Sequence, residues 1–213
     1  MTWSAAIIAD AVCAGLTAHA QAEDLEQVVY GLDHLDELGL HPLIHKSLAD
    51  AGLGVWPEGR YPGHWAKQRK SEGLRCDVVL TPDKLPLRDP EIRDTLFDQL
   101  PACDPEEAYW LEIKTVAQYE IGGPFRRYTS ELLSSVAQDL KKLWGDGVIC
   151  HGGLLLVLFV QSKDVADHDL FAWQRRCLDR GYPIGPSALR GFPIANRIGN
   201  AYCGMGMFAV RGA

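Results

Sequence analysis

The sequence predicts an α/β protein with a mixed central sheet, a helical N-terminal cap and a C-terminal extension, and three observations carry that reading. Residues 153–161 (Gly-Leu-Leu-Leu-Val-Leu-Phe-Val-Gln) are an almost continuous apolar run starting at a glycine, the pattern of a strand buried on both faces. Residues 130–144 place Leu132, Leu133, Val136, Leu140 and Leu143 on one helical face, with Ser135, Gln138, Asp139 and Lys142 largely opposite, before Gly145. Composition, at 47% hydrophobic and 23% charged over 213 residues, is that of a folded chain long enough for one core.

The elements follow in order. Residues 3–17 and 22–35 repeat apolar residues at helical spacing and predict two helices, so that 1–40 form a cap. A third helix is expected to open at His41-Pro42, because proline is tolerated in the first turn, and to end at Gly52. Residues 54–60 and 74–80 read as strands. Residues 83–107 hold eight acids, three basic residues and four prolines, with Pro82 just before them, an excursion with one short helix near 91–100. Residues 108–116 (Ala-Tyr-Trp-Leu-Glu-Ile-Lys-Thr-Val) are a strand carrying two charges among aromatic and β-branched neighbours. After the buried strand come a helix at 167–180, a loop rich in glycine and proline, and a last strand at 204–210. The organisation is then a cap at 1–40, a core at 41–161 and an extension at 162–213 packed on it.

Charge and cysteine usage narrow the classes. The net charge of −7 disfavours a general nucleic-acid coat protein, yet its distribution is uneven. Met1 to His45 contains seven acids and no Lys or Arg, whereas Arg60 to Arg75 contains five basic residues against Glu72 alone. Six cysteines without a Cys-x-x-Cys pair suit a reducing, cytoplasmic setting. The longest unbroken apolar run, 154–160, is far shorter than the roughly 20 residues of a membrane span, so no membrane partner is expected. Residues 1–20 end in Ala18-His19-Ala20 like a leader, but Asp10 interrupts them and no Lys or Arg precedes it.

Two carboxylates need explaining. Residues two apart on a strand share a face, so Glu112 and Lys114 project together. Asp77 stands inside the apolar segment Arg75-Cys76-Asp77-Val78-Val79-Leu80, where a buried charge requires a cation, a hydrogen-bond network or water. An acid-x-Lys tripeptide alone carries little, and Asp139-Leu140-Lys141 is a second match, but only Glu112-Ile113-Lys114 has strand context. With Asp77 upstream and a helix and buried strand downstream, residues 40–161 resemble the PD-(D/E)xK nuclease superfamily, although Cys76 replaces the usual proline and 35 positions separate the carboxylates. The resemblance implies a restriction-endonuclease-like αβββαβ core and phosphodiester hydrolysis. It implies that Asp77, Glu112 and the Ile113 carbonyl hold Mg²⁺ or Mn²⁺, and that Lys114 orients the attacking water or steadies the transition state. Members that carry an extra Glu near the first core helix point to Glu37 or Glu58, and helix residues Gln138 and Lys142 lie where that fold meets its active centre.

DNA is the implied partner, and cutting both strands calls for a homodimer in that family. Arg60, Lys67, Arg69, Lys70 and Arg75 could track a phosphate backbone, with Trp56, Tyr61 and Trp65 for stacking; Arg126 and Arg127 form a second basic site. The plain alternatives are an exposed charged loop and, for Asp139 and Lys142, a solvated i,i+3 pair. His41 and His45 have zinc-pair spacing without an intervening Glu, which favours capping or packing. The other functional class left open is a non-enzymatic DNA-binding or protein-interaction module on the same fold.

Overall fold

The computed structural model describes residues 3–64, 73–89, 92–98 and 101–210. Its strands are β1 (Gly54–Arg60), β2 (Arg75–Thr81), β3 (Tyr109–Ala117), β4 (Tyr119–Glu120), β5 (Gly123–Pro124), β6 (His151–Val160), β7 (Ile184–Pro193) and β8 (Tyr202–Val210). Six of them form one sheet in the order β1-β2-β3-β6-β8-β7, in which only β3 and β6 run parallel. A parallel pair needs a long crossover. The β4–β5 hairpin and a helical stretch supply it: one turn of α3 (Tyr128–Ser130), a π-helical turn at Glu131–Ser135, and α4 (Val136–Gly145).

Helices α1 (Ala5–Leu25) and α2 (Glu37–Asp50) cover one face, where Val12, Leu16, Leu40 and Ile44 cluster with Leu111, Ile113 and Leu155. The other face carries α4 and α5 (Lys163–Asp179), whose Leu140, Leu143 and Trp173 meet Trp110, Leu156 and Phe208. β6 lies inside the sheet with nine of its ten residues buried, as its unbroken apolar run predicts. Gly15 lets α1 and α2 touch: a Cβ there would stand 1.8 Å from Ser47 Oγ.

Several expectations are corrected. The two helices expected at 3–17 and 22–35 are corrected to one, α1, which runs through Ala18 to Gln21 because they contain no breaker and ends at Leu25, before Gln27 at φ 53°; of residues 26–35 only Leu32–His34 form a 3-10 turn. By length and composition α1 would also pass for a membrane span, but Ile8, Val12 and Leu16 are buried in the core. Helix α2 starts four residues before His41, because Asp36 accepts the Gly39 N–H at 2.8 Å and caps it, leaving Pro42 inside the helix. Where a helix was expected near 91–100, the described residues 92–98 form successive turns, with Asp94 at φ 60°. The segment taken for a Gly/Pro-rich loop contains β7. As an edge strand it tolerates Gly185, Pro186 and Gly191, with a bulge between Ile184 and Ser187.

Candidate active site

The site forms where two strands part. Cross-strand pairing of β2 with β3 runs through Leu80↔Tyr109 and Val79↔Trp110 to Val78↔Leu111 and goes no further, while β3 continues beside β6 to Ala117↔Phe159. The Ile113 N–H on the β2 side thus loses its ladder partner. Asp77 takes its place: Oδ2 accepts that N–H at 2.7 Å. The Asp77 and Glu112 carboxyl groups stand one on each arm of the fork, near enough that the charge of Asp77 acts on Glu112.

Glu112 is only 1% exposed, and both its oxygens are engaged. The Tyr61 hydroxyl donates to Oε1 at 2.6 Å, and Lys142 Nζ lies 3.4 Å from Oε2 while donating to Asp139 at 2.7 Å. Burial first, and the Asp77 charge second, push the Glu112 carboxyl up to about 8 against the pull of Tyr61 and Lys142. Burial also raises Asp77, opposed mainly by the Ile113 N–H. Burial thus disfavours the charged form of both acids.

Lys114 points to a different neighbour. Its Nζ is 3.1 Å from Glu37 Oε2, which also accepts the Thr115 N–H at 3.2 Å. Glu37 is the first residue of α2, delivered by the Asp36 cap, and its charge is felt at Asp77. Glu37 thus pairs with the lysine and acts on Asp77 through its charge alone. A cleft of about 430 Å³ opens beside Glu37 and Lys114 and runs to Glu120, Phe125 and Glu131 below the β4–β5 hairpin. The hairpin turn needs the positive φ of Gly122 and Gly123, 111° and 126°. Arg126 and Arg127 are exposed just beyond it.

The remaining predicted residues divide. Glu37 and Lys142 join the site. Gln138 is exposed on α4, and Glu58 sits at φ 55° with an exposed side chain, its carbonyl accepting from Arg75 at 2.9 Å. Arg60 is half-buried at the end of β1. Trp65, Lys67, Arg69 and Lys70 lie outside the described residues. Tyr61 is corrected outright: at 1% exposed it cannot stack on a base. The rings of His41 and His45 lie 5.7 Å apart, and His41 is 7% exposed, in keeping with packing.

The donor set is all hard oxygen. Among the described residues no group of three or more His, Cys, Asp or Glu side chains forms a metal cage. Mg²⁺ asks for less, being held through one or two carboxylates while keeping several waters. The buried Glu112 carboxyl and the half-buried Asp77 carboxyl, the latter bonded to the Ile113 backbone, fit that demand. In comparisons with known proteins, no family model, no curated protein and no solved structure matches the chain.

Proposed function

We propose that the chain is a Mg²⁺- or Mn²⁺-dependent nuclease that hydrolyses DNA phosphodiester bonds at the fork between β2 and β3. The observation that carries this reading is the bond from the Ile113 N–H to Asp77 Oδ2 at 2.7 Å, which sets Asp77 at the fork beside the strand that carries Glu112 and Lys114, with Lys114 paired to Glu37. Neighbouring carboxyl groups whose charged forms burial disfavours are stabilised as anions by a bound cation. The finer fold assignment, restriction-endonuclease-like, rests on the succession α2-β1-β2-β3-α4-β6 with β3 parallel to β6, which is the αβββαβ order.

Asp77, Glu112 and the Ile113 carbonyl would hold the ion. When bound, the ion lowers the pKa of a coordinated water and offsets charge on the scissile phosphate. The protein's own groups do the rest. Glu37 fixes the Lys114 ammonium at the cleft mouth, where it orients the attacking water or steadies the charge gathering on phosphorus oxygens. Asp139 and Glu112 hold Lys142 across the pair; burial opposes its charge, but these two acids outweigh burial and raise its pKa. Arg126 and Arg127 line an adjoining hollow that shares Glu120, Ile121 and Phe125 with the cleft, and would meet a backbone entering from that side.

The test is thermal melting with and without Mn²⁺, together with cleavage of a plasmid and a single-stranded oligonucleotide. Mn²⁺ raises the melting temperature of the wild type, and Asp77→Asn or Glu112→Gln removes both the rise and the cutting. A melting curve indifferent to Mg²⁺ and Mn²⁺, with no cutting, returns the chain to the non-enzymatic class.

A further inference from the structure

A carboxylate that is to grip a cation from inside a protein must be held in one orientation, because two freely turning torsions would have to be frozen at every binding event. Glu112 is held from a place that its own strand does not reach. The Tyr61 hydroxyl, 51 positions away, donates to Oε1 at 2.6 Å. A phenol keeps its proton at neutral pH, so that oxygen serves as the donor to the carboxylate.

Tyr61 is itself fixed on three sides. Its ring stacks on Trp110 with centroids 5.6 Å apart and planes at 24°, and the Trp110 indole N–H is tied to the Pro105 carbonyl at 2.9 Å. Its own N–H donates to the Leu74 carbonyl at 3.2 Å. Two residues on, the Gly63 N–H donates to Asp146 Oδ2 at 2.8 Å, and Asp146 Oδ1 takes the Val148 N–H at 3.0 Å. A Cβ on Gly63 would meet that carboxylate at 3.0 Å, so the strap lies close against it. The chain leaving β1 is thereby tied down beyond the end of α4, with its phenol directed at Glu112.

We propose that Tyr61 is a positioning residue for cation binding: its hydroxyl sets the Glu112 carboxylate, and the Gly63–Asp146 strap sets Tyr61. The proposal rests on the reading of Asp77 and Glu112 as the cation site. Groups that orient a ligand from behind typically alter metal affinity by about 10–100-fold when removed.

Calorimetric titration of the full chain with Mn²⁺, without DNA, tests it. Tyr61→Phe deletes one oxygen and keeps the ring on Trp110; the Mn²⁺ Kd is expected to rise about 10-fold or more. Plasmid cleavage then needs proportionally more Mg²⁺ for half its maximal rate, while the rate at saturating Mg²⁺ stays within about twofold of wild type. Tyr128→Phe removes another half-buried phenol, which donates to Asp169 at 2.7 Å, and should leave the Mn²⁺ Kd unchanged. Asp146→Ala frees the strap without touching Glu112, and should weaken Mn²⁺ binding in the same direction. A Tyr61→Phe protein that melts lower but binds Mn²⁺ as tightly as wild type overturns the proposal and leaves Tyr61 a packing residue. A wild type without Mn²⁺ binding that Asp77→Asn abolishes sinks the cation site itself, and this inference with it.

Discussion

Lys114 and Asp77 are separated by a third charge, and that decides what each substitution does. Because the ammonium rests on Glu37 and neither Asp77 nor Glu112 hydrogen-bonds it, Lys114→Ala should leave the Mn²⁺-induced melting shift in place. The same variant should lower cleavage by about 10²–10³, the cost typical of losing one transition-state donor. Single-turnover cleavage at saturating Mg²⁺ measures it, and an unchanged rate would remove Lys114 from the chemistry. His45 allows a prediction about acid. Burial first, and the neighbouring His41 second, hold its imidazole down to about 4, below the ordinary 6.5. The folded state thus keeps His45 neutral where the unfolded chain takes up a proton. Its contribution is whole above pH 6.5 and drains away as pH falls toward 4. Urea unfolding at pH 7.5, 5.5 and 4.5 should show His45→Gln losing less stability than wild type on acidification.

At the scale of elements, the start of α2 links folding to the site. Asp36 caps the helix and Glu37 opens it, so the cap that stabilises α2 also places the carboxylate that holds Lys114. Asp36→Ala should cost about 1 kcal/mol in urea unfolding. It should slow cleavage by more than the unfolded fraction explains, and Asp36→Ser should restore both. The π-helical turn at Glu131–Ser135 precedes α4 directly, the helix that carries Asp139 and Lys142 to Glu112. Such turns recur at functional sites because they shift the helix face that follows. The parting of β2 from β3 after Val78 does comparable work, since it frees the Ile113 N–H for Asp77.

For the whole molecule, β6 is the common wall of two cores. Leu155 clusters with α1 and α2, and Leu156 with α4 and α5, so neighbouring residues report opposite layers. Each is fully buried, and Leu155→Ala or Leu156→Ala should cost about 3 kcal/mol. If the layers unfold together, tryptophan fluorescence and far-UV circular dichroism give the same midpoint in both variants; separate midpoints would mean two cooperative units. The N-terminal helix belongs to this same unit: Ile8, Val12 and Leu16 lie in the cluster that holds Ile113, next to the fork.

What the sequence determined by itself is what is local. The unbroken apolar run of β6, the one-sided helix of α4, and a carboxylate among apolar residues at Asp77 and at Glu112 can be read along the chain, since period and burial leave their mark on consecutive residues. The Asp36 cap was missed, because Pro42 is at home in a first turn and placed the expected helix start at His41-Pro42. β7 was hidden by its glycines and prolines, which signal a loop unless the strand is known to be at an edge. Only the tertiary structure decided that Asp77 takes the Ile113 N–H beside Glu112, that Lys114 goes to Glu37, and that Lys142 reaches beyond Asp139 to Glu112. Tyr61 is the clearest instance. Its aromatic ring suggested a stacking surface, but its burial and its bond to Glu112 follow from the register of three strands and a strap. Contacts of that range are set by how elements pack, and no spacing within one segment encodes them.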